Sequence, residues 1–414
     1  MQAVSVRNER FEALDSWRGI CALAVAIFHF SFVMKTEILQ NAILSNSYLF
    51  VDFFFVLSGF VVCHAYRDRL GSPRKVGGFV LRRFGRLWPL HAVLLFALML
   101  MVMAINLYGR HPDNFTIDEA KGGYSLVALA LNTVLLTAMG LYGNAWNSPA
   151  WSIGAELYTY LLFAAVVVFA GKRLLGASLA LMLGASLVLL AFAPALMNST
   201  ADFGFVRCIG GFFGGVATYH VHEATRDRKL PLPSVAEIGV VALAGLFMLL
   251  AGDGPDEVHA LSLLAPVVFG AAILVFARER GALSKVLQVR PLRALGRWSY
   301  SIYMVHMPLL VLLGYAVWLY GDLSAASLQV DTMVEGHVKQ LYDLGDPAAT
   351  HLMMAGFLAT VVLAAAWTYR LVEAPWRDRF SRIAKRYENP GRAIALGGRI
   401  GPVRPVAVRA ERRG

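Results

Sequence analysis

Residues 18–34 read RGICALAVAIFHFSFVM, an apolar run from Ile20 to Met34 headed by Arg18 and interrupted by His29. Arg18 and His29 are eleven residues apart. At 100° per residue that comes within about 20° of three whole turns, so a helix carries both on one face, about 16 Å apart along its axis. The pattern predicts an ionisable group at mid-membrane depth in line with a cation at the interface. Intramembrane ionisable residues are costly and mark function by default. An interfacial anchor followed by a hydrogen-bonded packing histidine would show the same spacing.

The whole chain is of the same kind. Its 414 residues are 57% hydrophobic and 16% charged, with a mean hydropathy of +0.58, and several apolar runs reach the roughly 20 residues needed to cross a bilayer. This predicts an all-α, polytopic membrane helix bundle. One membrane domain, 1–380, precedes a basic tail, 381–414, expected to be disordered and cytoplasmic, because no polar stretch is long enough to build a soluble domain. The net charge of +11 lies largely in short loops and the tail, where membrane lipid headgroups account for it and nucleic acid is not implied. Cys21, Cys63 and Cys208 lie in or beside apolar runs without metal-ligand spacing. They predict packing residues, with neither a disulfide framework nor a metal site. At the N-terminus Glu9, Glu12 and Asp15 interleave with Arg7 and Arg10 and no small-x-small cleavage site follows, so the first run is expected to stay as a span.

Eleven apolar runs can be counted: 20–34, 48–66, 87–108, 124–142, 151–170, 174–197, 203–222, 234–251, 258–277, 298–320 and 349–373. The segments 67–86 and 278–297 are strongly basic, whereas 252–257 and 321–348 are acidic. The positive-inside bias places the first pair and the tail in the cytoplasm and the second pair outside. Eleven crossings would invert this pattern. Ten crossings with both termini cytoplasmic satisfy it, provided one run between 87 and 170 is re-entrant or interfacial. The choice falls on 124–142, with Asn132, Thr133 and Thr137, since irregular backbone at depth must line a cavity or be buried in protein.

Within this topology Ser58 reaches a depth similar to that of His29, and Asp52 starts its span near the outer surface. Arg83 and Arg86 share a face at the cytoplasmic interface, suited to phosphate. Ser299, Tyr303 and His306 fall on one helical stripe beside Tyr300. Glu156, on the outer side, and Glu373 are carboxylates at the edges of apolar runs.

Six blocks, in order, resemble the acyltransferase-3 family of integral membrane acyltransferases: 14–20 with His29, 51–60, 82–89, 151–156, 295–303 with His306, and 373–375. Together they span about residues 11–380. The resemblance implies O-acylation. An acyl group, usually acetyl, is taken from cytoplasmic acyl-CoA, the donor substrate, and placed on a hydroxyl, commonly of a carbohydrate, as in polysaccharide modification at the bacterial inner membrane. Arg18 and His29 match the family's Arg-x10-His motif, and Arg83 and Arg86 its Arg-x-x-Arg pair. Without a fused hydrolase-like domain, the chain resembles the stand-alone form.

Geometry and resemblance then predict one mechanism. Arg83, Arg86 and Arg18 hold the donor, His29 is the general base, and Glu156 orients the acceptor hydroxyl. Asp52, Ser58, Tyr300, Tyr303 and His306 are candidate pocket residues, with Tyr300, Tyr303 or Ser58 facing the oxyanion. An acyl-imidazole relay through His29 is the variant chemistry. A proton-coupled transporter or a lipid-linked sugar flippase would also place His, Arg and Glu in the membrane, and an inactive interaction protein could keep the fold. The presence of Arg18, His29, Arg83 and Arg86 together argues against the inactive form.

Overall fold

The computed structural model describes residues 10–37, 41–112, 117, 124–141, 146–334 and 337–390. In chain order its elements are α1 Glu12–Phe30, α2 Ala42–Ser45, α3 Phe50–Tyr66, α4 Pro73–Tyr108, α5 Leu126–Thr133, α6 Ala150–Ala170, α7 Leu174–Phe192 and α8 Gly204–Thr225. There follow α9 Pro233–Leu250, α10 Ala265–Phe276, α11 Ala282–Leu287, α12 Arg290–Ser324, β1 Gln329–Val334, β2 His337–Tyr342, α13 Pro347–Thr368 and α14 Ala374–Glu388. Among the described residues, seven helical stretches are long and apolar enough to cross a membrane. One of them, Ala150–Phe192, is two helices. Gly171 takes φ +50° after α6, and beyond α7 the chain returns to where α6 began, Gly204 lying against the Trp151 ring.

Glycine sets how closely the helices meet. In α8 the string Gly210-Gly211-Phe212-Phe213-Gly214-Gly215 brings the backbone onto α3. A Cβ on Gly59 would overlap the Phe212 carbonyl, and one on Gly215 would overlap the Val56 carbonyl. A second contact joins α1 to α12, where a Cβ on Gly19 would lie 2.6 Å from the Leu295 carbonyl carbon and one on Gly296 would overlap the Asp15 carbonyl. With lipid outside, apolar surface alone gives helices little reason to pair, and small residues supply it through close packing. The start of α1 is tied down by polar contacts as well. Ala13 N–H donates to Glu279 Oε1 at 2.8 Å, and Arg293 Nη1 donates to Glu12 Oε2 at 3.0 Å. Burial pushes the Glu279 carboxyl above its ordinary range. All three cysteines are buried and free.

The structure corrects several expectations. The fold is mostly helical but not all-α: the acidic 321–348 segment holds the antiparallel hairpin β1–β2. The alternation of Val330, Thr332 and Val334 with Gln329, Asp331 and Met333 suits a strand, and only its acidity was read. β2 continues onto the chain leaving α1, with Lys35 N–H donating to the Tyr342 carbonyl and Tyr342 N–H to that of Val33, each at 2.9 Å. Lys35 Nζ lies 2.8 Å from Asp343 Oδ2. Those contacts hold the Asp343 carboxyl below its usual range. The basic segment 67–86 is not a loop beyond Pro73, because α4 starts there and carries Arg82, Arg83 and Arg86 on its inner half. The segment 278–297 contains α11 and the first turns of α12. A basic run sets the side of the membrane, not the absence of helix. The helix at the chain end continues past the 380 boundary to Glu388, with Glu388 paired to Arg82; residues 391–414 lie outside the described residues.

The 124–142 run is not one long helix. Its described part is the eight-residue α5 followed by turns, with Leu135 at φ +61°. α5 leans along α4: Trp88 Nε1 donates to the Thr133 carbonyl at 3.0 Å and His91 Nε2 bonds the Asn132 carbonyl at 2.8 Å. Trp88 stands fifteen residues, about 22 Å, along a 36-residue helix. The α5–α6 connection therefore reaches deep beside α4, and α6 begins at that level.

These contacts predict that Gly59→Ala lowers the melting temperature and folded yield by the overpacking cost of about 1–3 kcal/mol or more. Gly176→Ala in α7, where a Cβ meets nothing within 4 Å, should be neutral or slightly stabilising through helix propensity. Thermal unfolding of both variants in detergent checks the contrast.

Candidate functional site

The backbone contact between Gly19 and Gly296 places Arg18 of α1 next to Arg297, Ser299 and Tyr300 of α12. α3 and α4 add Ser58, Arg83 and Arg86, and α6 adds Glu156. Together they line a cavity of about 650 Å³. Arg10, Arg69 and Arg377 also line it, by the start of α1, beyond the end of α3 and in α14. Seven arginines thus face it, against the carboxylates Asp15, Glu156 and Glu373. Glu373 reaches it from a π-helical turn, Tyr369–Glu373, that bends the chain between α13 and α14, and Ser301 Oγ donates to its Oε2 at 2.7 Å.

The individual groups are held differently. Arg18 is about a quarter exposed, with Nη1 3.9 Å from Asp15 Oδ1. The Arg83 guanidinium lies over the rings of Tyr66, Tyr160 and Phe79 at 5.1, 5.4 and 5.7 Å. Tyr160 donates to Glu156 Oε1 at 2.6 Å, and its hydroxyl is 2.9 Å from Ser58 Oγ. A chain of three polar groups therefore runs along one wall. Tyr300 donates to the Leu87 carbonyl at 2.5 Å, which withdraws it from the oxyanion role expected of it. The Tyr303 hydroxyl is 2.8 Å from Ser152 Oγ and 3.4 Å from the Pro149 carbonyl. Pro308 lacks the N–H that would bond the Met304 carbonyl, and Asn147 Nδ2 occupies that acceptor at 3.4 Å.

At the far end stand Phe54 and Tyr303, edge to face at 5.9 Å. Behind Tyr303, at 5.8 Å, is the His306 ring, and 5.0 Å beyond that is His29. Neither histidine lines the cavity. His306 is fully buried, its ring nitrogens without hydrogen-bond partners apart from the marginally placed carbonyls of Ile302 and Tyr303. His29 is part-exposed, with Nδ1 bonded to the Val25 carbonyl at 2.9 Å.

Three expected positions are corrected. His29 is not at mid-depth: it is the penultimate residue of α1, and its neighbour Phe28 packs on Tyr48, just before α3 starts. Ser58, two turns into α3, lies well below it. The apolar run continued to Met34, but the helix ends at Phe30, where Ser31 turns back to bond the Phe28 carbonyl. Glu156 is not set apart from Arg83 and Arg86: the carboxylate lines the same cavity as both. Asp52 is not a pocket residue. It is fully buried against Arg207, which donates from Nη2 to Oδ2 at 2.7 Å and from Nε to Oδ1 at 3.0 Å, and caps the carbonyls of Tyr48 and Ser199 at 2.9 and 3.2 Å. Arg207 was missed, although an arginine at the fifth residue of the apolar run 203–222 was the signal for a buried partner.

Removing one partner of such a pair leaves a buried uncompensated charge, at a cost of about 3–5 kcal/mol. Asp52→Ala and Arg207→Leu should each lower the melting temperature sharply, and the double variant should lose much less than the sum. Additive losses in thermal unfolding would mean that the pair is not the coupling.

The acyltransferase domain profile matches residues 11–370. The putative membrane-bound transacylase BcsY of Komagataeibacter xylinus is 24% identical over 405 residues, 95% of this chain and 90% of that protein. The peptidoglycan O-acetyltransferase OatA of Listeria monocytogenes serovar 1/2a is 22% identical over 324 residues, 72% of this chain and 49% of that protein. Protein 2 in picA locus of Rhizobium radiobacter is 33% identical over 162 residues, 38% of this chain and 82% of that protein. No solved structure matches the chain. With the profile covering nearly its whole length and relatives that are membrane acyltransferases, the chain belongs to the acyltransferase-3 family.

Proposed function

We propose that this protein moves an acyl group from cytoplasmic acyl-CoA to a hydroxyl of a carbohydrate or related acceptor on the far side of the membrane. The observation that carries this is the cavity, whose seven arginines face three carboxylates. That imbalance suits a polyanion, and phosphates fit guanidinium best. In this reading Arg83, Arg86 and Arg18 hold the phosphates of the donor, and its acyl end points along the cavity toward Tyr303. His29 Nε2 takes the proton of the acceptor hydroxyl as the oxygen attacks the acyl carbonyl carbon. The C–S bond then breaks, and the thiolate leaves and recovers a proton from the imidazolium. Glu156, held by Tyr160, orients groups on the cavity side. Acetyl is the acyl group favoured, in keeping with a relative named for O-acetyl transfer.

A test separates the roles. His29→Ala in folded, membrane-inserted protein should lower turnover at least about 100-fold, as for loss of a general base. Arg86→Ala should chiefly raise the KM for acetyl-CoA, because its contact is remote from the reacting atoms. Radiolabelled acetyl-CoA consumption in proteoliposomes reads both, and unchanged turnover in the His29 variant sinks the assignment. Substrate movement across the vesicle without acetyl-CoA would favour a transporter.

The direction of transfer rests on ten crossings by α1, α3, α4, α6, α7, α8, α9, α10, α12 and α13, with α5 re-entrant and both termini cytoplasmic. In this arrangement α10 is lengthened by the 3-10 turn Ala260–Leu264 that leads into it. Seven of these crossings separate Ser72 from Ser324. In intact cells lacking Cys21, Cys63 and Cys208, Ser324→Cys should react with an impermeant thiol reagent and Ser72→Cys should not. Reaction at both would require an even number of crossings between them.

A further inference from the structure

Among the described residues, α14 is a long helix whose exposed side is rich in charge. Its packed side lies on the first half of α4, with Phe380 against Gly85, Tyr387 against Gly77 and Glu388 paired to Arg82. The rest of its circumference is ordered. Trp376, Ile383 and Tyr387 are all exposed, and at 100° per residue they fall within about 40° of one another, directly beside the packed face. Arg379, Arg382 and Arg386, also exposed, fall on the next arc, about 60–120° from Trp376. The guanidinium of Arg379 lies 5.0 Å above the Trp376 ring. Packed face, apolar stripe and cationic arc follow in that order. This is the arrangement of a helix lying in a membrane interface.

A second observation fixes where the stripe lies. The exposed apolar surface of α13 runs through Leu363 and Trp367 and on to Leu371 in the π-helical turn, respectively 63, 67 and 66% exposed. It meets Trp376 across the π-helical turn. The hydrocarbon-facing surface of the bundle thus continues into the apolar stripe of α14, and the arginines begin where that surface ends.

We infer that α14 is a docking surface for the headgroups of anionic phospholipids in the leaflet at the end of the cavity lined by Arg10, Arg69 and Arg377. A free phosphate or a soluble polyanion would use the arginines but has no use for the apolar stripe beside them. The partner that matches both is a charged headgroup on an apolar chain. The surface is contiguous with the cavity, because Tyr369 and Glu373 of the turn and Arg377 of α14 line it, so a lipid held there borders the opening. The inference does not depend on which acyl donor, if any, the cavity takes.

The test uses the purified full-length protein in detergent, titrated with phosphatidylglycerol or phosphatidylcholine and read by native mass spectrometry. The intact protein should retain phosphatidylglycerol with an apparent affinity on the order of 10- to 100-fold above that for phosphatidylcholine, the range expected of two or three cations near an anionic surface. Arg379→Gln/Arg382→Gln/Arg386→Gln, which leaves the α4-packed face untouched, should remove most of that preference. A readout free of variants accompanies it: the preference of the unaltered protein should fall steeply as salt rises. A preference that survives the triple substitution, does not respond to salt, or is competed away equally well by millimolar inorganic phosphate would overturn the proposal.

Discussion

The crossing of α1 and α12 at Gly19 and Gly296 is the constraint from which the cavity follows. At that point each helix presents bare backbone to the other: Gly19 to the Leu295 carbonyl carbon and Gly296 to the Asp15 carbonyl. The approach sets Arg18 and Arg297, each next to its glycine in sequence, at the edge of one space. A side chain at either glycine would part the helices by roughly the width of a methyl group and move one wall of the site. The α3–α8 crossing at Gly59 and Gly215 does the same for the wall carrying Ser58. Glycine beside the functional residue in 18–19, 58–59 and 296–297 is therefore a packing requirement of the site.

The charges within the bundle fall into two kinds, and geometry tells them apart. Arg207 is enclosed, with four of its five N–H groups given to a bidentate carboxylate and two backbone carbonyls. It is buried away from any ligand, and in a low-dielectric interior such pairing is what makes a buried ion tolerable. Arg18 and Arg83 are the other kind. Arg18 has a carboxylate only at 3.9 Å, and Arg83 rests on aromatic faces, which hold a cation by its plane. Arginines partnered in that loose manner around a common space are fitted to a ligand that brings its own negative charge.

Much of this architecture is legible in the chain. The apolar runs point to the bundle, and 124–142, chosen among three runs for its Asn132, Thr133 and Thr137, is where the structure has only the short α5. Arg18, Arg83 and Arg86 line one cavity, although spacing alone put only Arg83 and Arg86 on a common face. What could not be read was depth. A helix period fixes direction around an axis but not where the axis starts, so His29 was set too deep and Glu156 apart from Arg83 and Arg86. Asp52 was misread for a related reason: its partner Arg207 lies 155 residues away, and pairing at that range is a property of the tertiary fold. The hairpin was missed because charge was taken as the whole content of 321–348.

The separation of His29 from the cavity is informative in itself. Between the arginines and His29 stand Tyr303 with Phe54, and then His306. An open passage joining the two sides of a membrane would leak water and ions, and would expose an activated acyl group to hydrolysis. An aromatic partition prevents that, provided it can open when the donor is bound. The Tyr303 hydroxyl is held by Ser152 and, more weakly, by the Pro149 carbonyl, so releasing the ring costs about 1–3 kcal/mol in hydrogen bonds. A single charge-assisted contact between a donor phosphate and one of the cavity arginines is of similar size. In the proposed reaction, binding energy at the remote end of the donor would match what moving the Tyr303 ring costs, which is how a site with its histidine behind an aromatic partition could open only when loaded.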